Sequence, residues 1–330
     1  MARSVALPTI TDDSSLGGAV IEKCIRYNGE DAPKMTRTFG TNTSNTTKTF
    51  SCWLKRGKVS ASQIQNIFCT ALSGYIEGRL RINTDDTLQF EDRDASGGTS
   101  DGRRKTSAKL RDSSAWYHIM LVLDSTQGTE ADRAKIYING TQATIQADRT
   151  ISQNYSFSIF RSSADNYIGE GTNEGSQLDG YLAEIHFIDG YAYDASYFGY
   201  TEQQTGIWRH KKVTGITYGT NGFYLDFSDN SSITNICLDK SGNANNFSPD
   251  NCNTEDSMLD TPTNNFATMT PIHGYGGLSQ GNLRFNIYND SSGPRSTQAT
   301  IALPKSGKWY WEARYQESGT GTVTTKYFGV

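Results

Sequence analysis

Residues 178–227 alternate apolar and polar side chains through two stretches, LDGYLAEIHFIDG and GIWRHKKVTGITYGTNGFYLDF, with a tyrosine-rich interval between them. Such alternation is typical of β-strands that bury one face. Similar runs occur at residues 50–57 (FSCWLKRG), 113–124 (SSAWYHIMLVLD) and 134–142 (AKIYINGTQ). The last run contains Asn139–Gly140, the strongest short hairpin signal. Short strands joined by Gly- and Asn-rich turns predict an all-β fold, an antiparallel two-sheet sandwich.

Composition agrees with a turn-rich β protein. The chain has 18 tyrosines and 32 glycines, and only 35% of its residues are hydrophobic. This balance favours strands with a polar surface. Helix is expected only in short pieces, such as residues 194–198 and 202–205. Trp53 lies in a predicted strand and is expected to anchor the core.

These alternating stretches together resemble laminin-G-like domains, which are jelly-roll β-sandwiches of the concanavalin A type. Two further segments, DSMLDTPTNNFATMTP at 256–271 and SGKWYWEARY at 306–315, narrow the resemblance. They are similar to the DSPTN-like segment and the start of the SPRY-like module that follow the sandwich in virion proteins of marine bacteriophages. The resemblance implies a non-enzymatic structural virion protein, a tail fibre or other surface-exposed fibre component that contributes to host-surface glycan attachment.

We divide the chain into four parts. Residues 1–20 are predicted to be an N-terminal arm, 21–230 the laminin-G-like sandwich, 231–275 an Asn/Asp/Pro-rich connector, and 276–330 a partial SPRY-like β module. A β module this small is not expected to be stable alone. We therefore expect a homo-oligomer that also contacts other virion proteins.

Charge argues against nucleic acid as a partner. The chain has 31 basic and 35 acidic residues, a net charge of −4, whereas nucleic-acid binding needs a concentrated basic face. Two basic clusters stand out, one comprising Arg103, Arg104, Lys105, Lys109 and Arg111, and the other spanning residues 209–212. The first is interpreted as a solvated loop beside a strand, and the second as a similar solvated segment.

The sequence predicts neither membrane insertion nor export. No stretch approaches the roughly 20 apolar residues of a membrane helix. Pro8, Asp12 and Asp13 interrupt the N-terminal region, so it does not read as a signal peptide. We expect synthesis in the host cytoplasm and a final location in the virion.

Five cysteines argue against a complete disulfide framework, because the number is odd. Cys52 and Cys69 lie in strand-like runs and are expected to be small core residues. Cys237 and Cys252 flank an Asn-rich loop and offer one alternative, a disulfide across it, although cytoplasmic synthesis disfavours such a bond.

Catalytic residues are not evident, and we predict that the protein is not an enzyme. Sandwiches of this class include glycoside hydrolases, which need two carboxylates at a defined separation. Glu184 and Asp189 are at odd spacing on one strand, so they should point to opposite faces. His118 and His186 lie in regular strand patterns and are interpreted as structural. A polysaccharide-degrading hydrolase or lyase remains the alternative function.

Calcium is the one metal that the sequence suggests. Asp239, Ser241, Asn243 and Asn245 offer oxygen atoms at every second position, like the first half of an EF-hand loop, but the closing Glu is missing. The alternative is a turn, because Asn and Asp form Asx turns without a metal.

Four tyrosines in GYAYDASYFGY are candidate binding residues: Tyr191, Tyr193, Tyr197 and Tyr200. A segment this short cannot bury all four rings. They could stack on the rings of a glycan, or they could pack in a subunit interface, where Tyr is enriched. The sequence leaves both alternatives open.

Overall fold

The computed structural model describes residues 19–93, 102–171, 176–272, 277–286 and 296–314. The strands, in chain order, are β1 (Cys24–Tyr27), β2 (Lys34–Thr38), β3 (Thr47–Arg56), β4 (Gln65–Leu72), β5 (Tyr75–Ile82), β6 (Thr87–Asp92), β7 (Gly102–Lys109), β8 (Trp116–Asp124), β9 (Ala134–Ile138), β10 (Thr141–Gln142), β11 (Ile145–Arg149), β12 (Asp165–Ile168), β13 (Gly180–Asp189), β14 (Gly199–Thr201), β15 (Trp208–His210), β16 (Phe223–Leu225), β17 (Ser248–Asp250), β18 (Ser257–Met258), β19 (Gly277–Ser279) and β20 (Arg284–Asn286). Within the described ranges, helix is limited to α1 (Ile233–Ile236) and 3-10 turns at Glu130–Asp132, Ala195–Tyr197 and Thr254–Asp256.

Two eight-stranded sheets form the sandwich. Sheet A has the order β10-β9-β8-β3-β13-β1-β18, and β16 also pairs with β13. Sheet B has the order β11-β7-β6-β5-β4-β12-β2-β17. Every pairing between these strands is antiparallel, so the predicted all-β, antiparallel sandwich is confirmed. None of the helices in the described part of the chain is long and apolar enough to cross a membrane.

Some of the local predictions are confirmed and others are wrong. The turn at Asn139–Gly140 has the positive φ angles of a tight hairpin, 50° and 73°. The helical piece predicted at 194–198 is a 3-10 turn, but residues 203–205 form a turn rather than helix. The cluster predicted as a solvated loop at 103–111 instead begins on strand β7, and its member Arg104 is only 2% exposed.

Alternation along the strands builds the core between the sheets. In β3, Phe50, Cys52 and Leu54 face the other sheet, and all are fully buried. Trp53 is also buried, but it belongs to a second cluster on the outer face of sheet A. The five cysteines are buried with free thiols, so the disulfide considered for Cys237 and Cys252 is not formed.

The outer face of sheet A is itself covered, which explains why its strands are buried on both sides. We call residues 190–222 the cover segment; its apolar side chains pack on Met120 and Ile188 of the sheet. The connector packs beside it. Lys55 of β3 donates to the Asp260 carboxylate at 2.7 Å, and Trp116 of β8 donates to the same carboxylate at 3.0 Å.

The C-terminal part of the described chain, residues 296–314, has little regular secondary structure. Residues 301–314 are all exposed and form no strand, so the segment at 306–315 that resembles the start of a SPRY-like module contains no strand as far as Arg314. Ala299 makes an isolated antiparallel bridge with Met269. Earlier in the region expected to be SPRY-like, β19 and β20 form a two-stranded antiparallel sheet. Residues 287–295 and 315–330 lie outside the described residues, as does almost all of the N-terminal arm.

Candidate functional site

Three of the four predicted tyrosines come together within the cover segment, and two of them, Tyr193 and Tyr197, pack on the apolar cluster between this segment and sheet A. The ring centroids of Tyr191 and Tyr193 are 6.1 Å apart with an interplanar angle of 29°, a stacked arrangement. Tyr193 and Tyr197 follow at 4.7 Å and 58°. The Tyr191 side of the row faces solvent, because that residue is 41% exposed, whereas Tyr193 and Tyr197 are half-buried.

Hydrogen bonds hold this row in place. The Thr49 hydroxyl donates to the Tyr191 carbonyl at 2.9 Å and accepts from the Tyr193 amide at 3.1 Å. The Tyr193 hydroxyl accepts from the Thr217 amide at 2.9 Å. Asp194 caps the 3-10 turn between the tyrosines, since its carboxylate accepts from the Ser196 amide at 2.8 Å. These contacts hold the backbone at Tyr191 and Tyr193 and the hydroxyl end of the Tyr193 ring.

Sequence reasoning missed one member of this surface. Tyr137 of β9 packs, half-buried, against the same apolar cluster as Tyr193 and Tyr197. Its sequence context, AKIYING, shows only a strand and a turn, so its position beside the cover segment depends on the pairing of β9 with β8. Tyr200 lies outside the stack, on β14 opposite Arg209. We name Tyr137, Tyr191, Tyr193 and Tyr197 the tyrosine patch.

The residues considered for calcium form a hydrogen-bonded turn. One oxygen of Asp239 accepts from the amides of Tyr224 and Ser241, both at 2.8 Å, and the other accepts from the Asn245 amide at 2.8 Å. The Asn243 and Asn245 side-chain amides each donate to the Gly222 carbonyl at 2.9 Å. These contacts tie the loop to the start of β16 and favour the Asx-turn alternative.

We expect Asp239→Ala to lower the free energy of unfolding by about 1–3 kcal/mol, because it leaves several donors without their acceptor. The loss should be equal with calcium and with EDTA. Thermal unfolding of the unmutated protein in both buffers is the control. A melting temperature that drops when EDTA is added would contradict the turn and establish the calcium site.

A second constellation lies beneath the cover segment, around Glu184. The pairing of β13 with β3 shifts register between Ala183 and His186, and Glu184 has a φ of 49° at this bulge. Its Oε2 lies 3.6 Å from Nε2 of His186 and 3.3 Å from Nε2 of His210. The Tyr224 hydroxyl lies 2.7 and 2.9 Å from the two carboxylate oxygens. Burial would raise the pKa of Glu184, but His186, with His210 and Tyr224, holds it below the ordinary value.

Three buried histidines lie in this region: His118, His186 and His210. Nδ1 of His186 forms a 2.8 Å hydrogen bond with the Tyr218 hydroxyl. His118 makes a 2.8 Å hydrogen bond with Ser51, and burial lowers its pKa to about 3. His210 was assigned to a solvated basic segment, but it is 7% exposed. Burial also lowers its pKa.

The burial of this cluster favours a structural role for it. Glu184 is 7% exposed and lies between sheet A and the cover segment, so a polysaccharide cannot reach it without displacing that segment. Asp189, five residues on, is elsewhere: its carboxylate accepts from the amides of Thr43 at 2.7 Å and Asn221 at 3.2 Å. The two carboxylates do not form the facing pair that glycoside hydrolysis uses.

Comparison with known proteins places the fold. Residues 28–193, half of the 330-residue chain, match the concanavalin A-like lectin/glucanases superfamily. No curated protein matches the sequence.

Solved structures with a similar fold include a native heptameric SAP-like pentraxin from Limulus polyphemus, with 17% identity, coverage of 63% of this chain and 94% of that chain, and a TM-score of 0.40. The LG1-3 region of the laminin alpha2 chain shares 13% identity over 51% of this chain and 31% of its own, with a TM-score of 0.37. The botulinum neurotoxin serotype D/C binding domain shares 11% identity over 46% of this chain and 34% of its own, with a TM-score of 0.33. The match thus spans about a third of the laminin and toxin chains. On the family match, this chain belongs to the concanavalin A-like lectin/glucanases superfamily.

Proposed function

We propose that this protein is a non-enzymatic surface component of a bacteriophage virion, a tail fibre or related fibre protein, that helps attach the particle to host-surface glycans. The tyrosine patch carries the binding part of this proposal. Aromatic rings offer an apolar face and, in tyrosine, a polar hydroxyl, which suits the mixed surface of a sugar ring. The similarity of residues 256–271 and 306–315 to phage virion proteins supports the virion part, with synthesis in the host cytoplasm.

Binding through the tyrosine patch is testable with one exposed ring. We expect Tyr191→Ala to weaken attachment of the purified assembly to whole host cells by at least about fivefold, because a lost stacking contact of about 1 kcal/mol is repeated in every copy. Tyr75→Ala is the matched control, since Tyr75 is 68% exposed on β5 of the other sheet. Equal attachment by both variants would remove the tyrosine patch as the binding surface.

The alternative, a polysaccharide-degrading hydrolase or lyase, rests on Glu184 and its two histidines. The burial of this cluster is the reason that we place it second. Incubation with host envelope polysaccharide should release no reducing sugar. Release that disappears in Glu184→Gln would make hydrolysis the function instead.

We also expect the chain to self-associate through its C-terminal part. Nine large hydrophobic residues in the described part of residues 259–311 are exposed: Leu259, Phe266, Ile272, Leu283, Ile301, Leu303, Trp309, Tyr310 and Trp311. Such a concentration of exposed apolar surface marks an interaction site. Sedimentation at micromolar concentration should show an oligomer that Trp311→Glu weakens and Ile207→Glu, at an exposed site on the cover segment, leaves intact. A soluble monomer of the unmutated protein would contradict this expectation.

A further inference from the structure

Three of the four histidines in the sequence lie in one buried layer between sheet A and the cover segment. His118 belongs to β8 and His186 to β13, two strands of sheet A. His210 belongs to β15 of the cover segment itself. Histidine is the side chain whose charge ordinarily changes between about pH 5 and 8, so a layer of this kind links the packing of the cover segment to pH.

Aromatic rings of the cover segment close over this layer. We call residues 198–210 the cover hairpin, because β14 and β15 pair within this range. The Trp208 ring stacks on His118, with ring centroids 5.8 Å apart and an interplanar angle of 28°. The Phe198 ring lies 6.3 Å from His118 and 5.6 Å from His186. The cover hairpin therefore shields both histidines of sheet A from water.

Strand pairing allows the cover hairpin to separate from the sandwich as a unit. Among the described strands, β14 and β15 pair only with each other and belong to neither eight-stranded sheet. Their register joins Gly199 to His210 and Thr201 to Trp208. Lifting the cover hairpin from sheet A therefore breaks no hydrogen-bonded strand pair of the sandwich. Side-chain packing and the contacts of His210 are what oppose this local opening.

One carboxylate contacts two of the three imidazoles. Oε2 of Glu184 lies 3.3 Å from Nε2 of His210 and 3.6 Å from Nε2 of His186. The other groups that face these rings are neutral: the Tyr224 hydroxyl bonds to Glu184, and the Tyr218 hydroxyl bonds to His186. A single negative charge compensates one protonated histidine, and a second proton would place like charges side by side.

His118 is the ring that resists protonation most strongly. Its Nε2 bonds to the Ser51 hydroxyl at 2.8 Å, and its Nδ1 is buried without a hydrogen-bond partner. Burial, followed by the charges of His210 and His186, lowers the pKa of His118 from 6.5 to about 3. Burial also lowers the pKa of His210, although Glu184 opposes that shift. The closed layer therefore excludes protons that the same histidines would bind in water.

We propose that mildly acidic pH lifts the cover hairpin away from sheet A and uncovers the apolar residues Met120 and Ile188 beneath it. In the lifted state the histidines are in water and bind protons at their ordinary pKa. The closed state is therefore fully favoured above pH 6.5 and loses stability as pH falls below that value. His118 alone raises the equilibrium constant for opening about tenfold per pH unit in this range, and about thirtyfold between pH 7.5 and pH 5.

Hydrogen exchange of the full chain, measured by mass spectrometry at pH 7.5, 6 and 5, tests the proposal. Strands β4 and β5 of sheet B serve as the internal reference, which corrects for the intrinsic pH dependence of exchange. We expect protection of residues 198–210 to fall at least about thirtyfold between pH 7.5 and pH 5, while the reference strands keep theirs. His118→Gln should make that fall at least about tenfold smaller. Lys211→Gln, which removes a charge that bonds to the Ser196 carbonyl outside the buried layer, should leave it unchanged.

An NMR titration of the unmutated protein keeps the proposal testable if His118→Gln does not fold. The His118 ring should stay neutral until residues 198–210 lose their protection. Three outcomes would overturn the inference. The first is protection of residues 198–210 that does not change with pH, and the second is an equal fall in β4 and β5, which would identify acid unfolding of the whole sandwich. The third is a His118 ring that titrates near pH 6.5 while the cover hairpin remains protected.

Discussion

We expect Asp260→Ala to lower the free energy of unfolding by about 3–5 kcal/mol, because it leaves a buried ammonium group without its counter-ion. Lys55 is fully buried, and its Nζ lies 2.7 Å from the Asp260 carboxylate. The same carboxylate accepts from the Trp116 indole at 3.0 Å and from the Phe266 amide at 3.2 Å. Removing it therefore leaves the indole and the amide without this acceptor, and it leaves the Lys55 ammonium with only the neutral oxygens of Asn265 and Phe266.

Denaturant unfolding measures this loss, and Asp132→Ala supplies the matched control. Asp132 also pairs with a lysine, Lys135 at 2.8 Å, but its side chain is 44% exposed. Exposed pairs contribute at most about 1 kcal/mol. A double-mutant cycle with Lys55→Met should show a large coupling between Lys55 and Asp260. Losses of similar size at Asp260 and Asp132 would show that the connector is not fastened by this ion pair.

The ion pair between Lys55 and Asp260 could not be predicted from the sequence. Alternation correctly predicted that β3 and β8 are strands, but it could not show that both of their faces are buried. Lys55 and Asp260 are separated by 205 residues, and no local pattern links them. A lysine on a strand is normally solvated, so no local pattern predicts that Lys55 is buried beneath the connector.

The tyrosine patch could be predicted only in part. The density of tyrosines singled out residues 190–200 correctly as a place where rings gather. The position of Tyr137 depends on strand register, which single-sequence patterns specify poorly. Arg103 and Lys105 were noted for their charge, but their alignment with Glu91 and Arg79 required the pairing of β5, β6 and β7. The bulge at Glu184 has no counterpart in a simple two-residue period.

The second large effect concerns a buried carboxylate in the core, Asp92. It points between the sheets from β6 and accepts from the Tyr155 hydroxyl at 2.9 Å and the Ser158 amide at 3.0 Å. Burial raises its pKa to about 7, and these hydrogen bonds and Lys48 only partly oppose the shift. The folded state therefore holds this proton more tightly than the unfolded state, so the contribution of Asp92 to stability is present at low pH and declines as pH rises from about 4 to about 7.

Asp92→Asn removes this titration while it keeps an acceptor for Tyr155. Relative to the unmutated protein, we expect the variant to gain about 1.4 kcal/mol of unfolding free energy per pH unit across that window, on the order of 4 kcal/mol in total. Asp124→Asn is the control with the opposite sign: burial raises the pKa of Asp124, but hydrogen bonds from Thr126 and Gln127 hold it below the ordinary value. Its contribution is present above pH 4 and is lost as pH falls. Stability curves of Asp92→Asn and the unmutated protein that run parallel from pH 4 to pH 7 would show that Asp92 is ionised in the core, with its charge fully compensated by Lys48 and the hydrogen bonds around it.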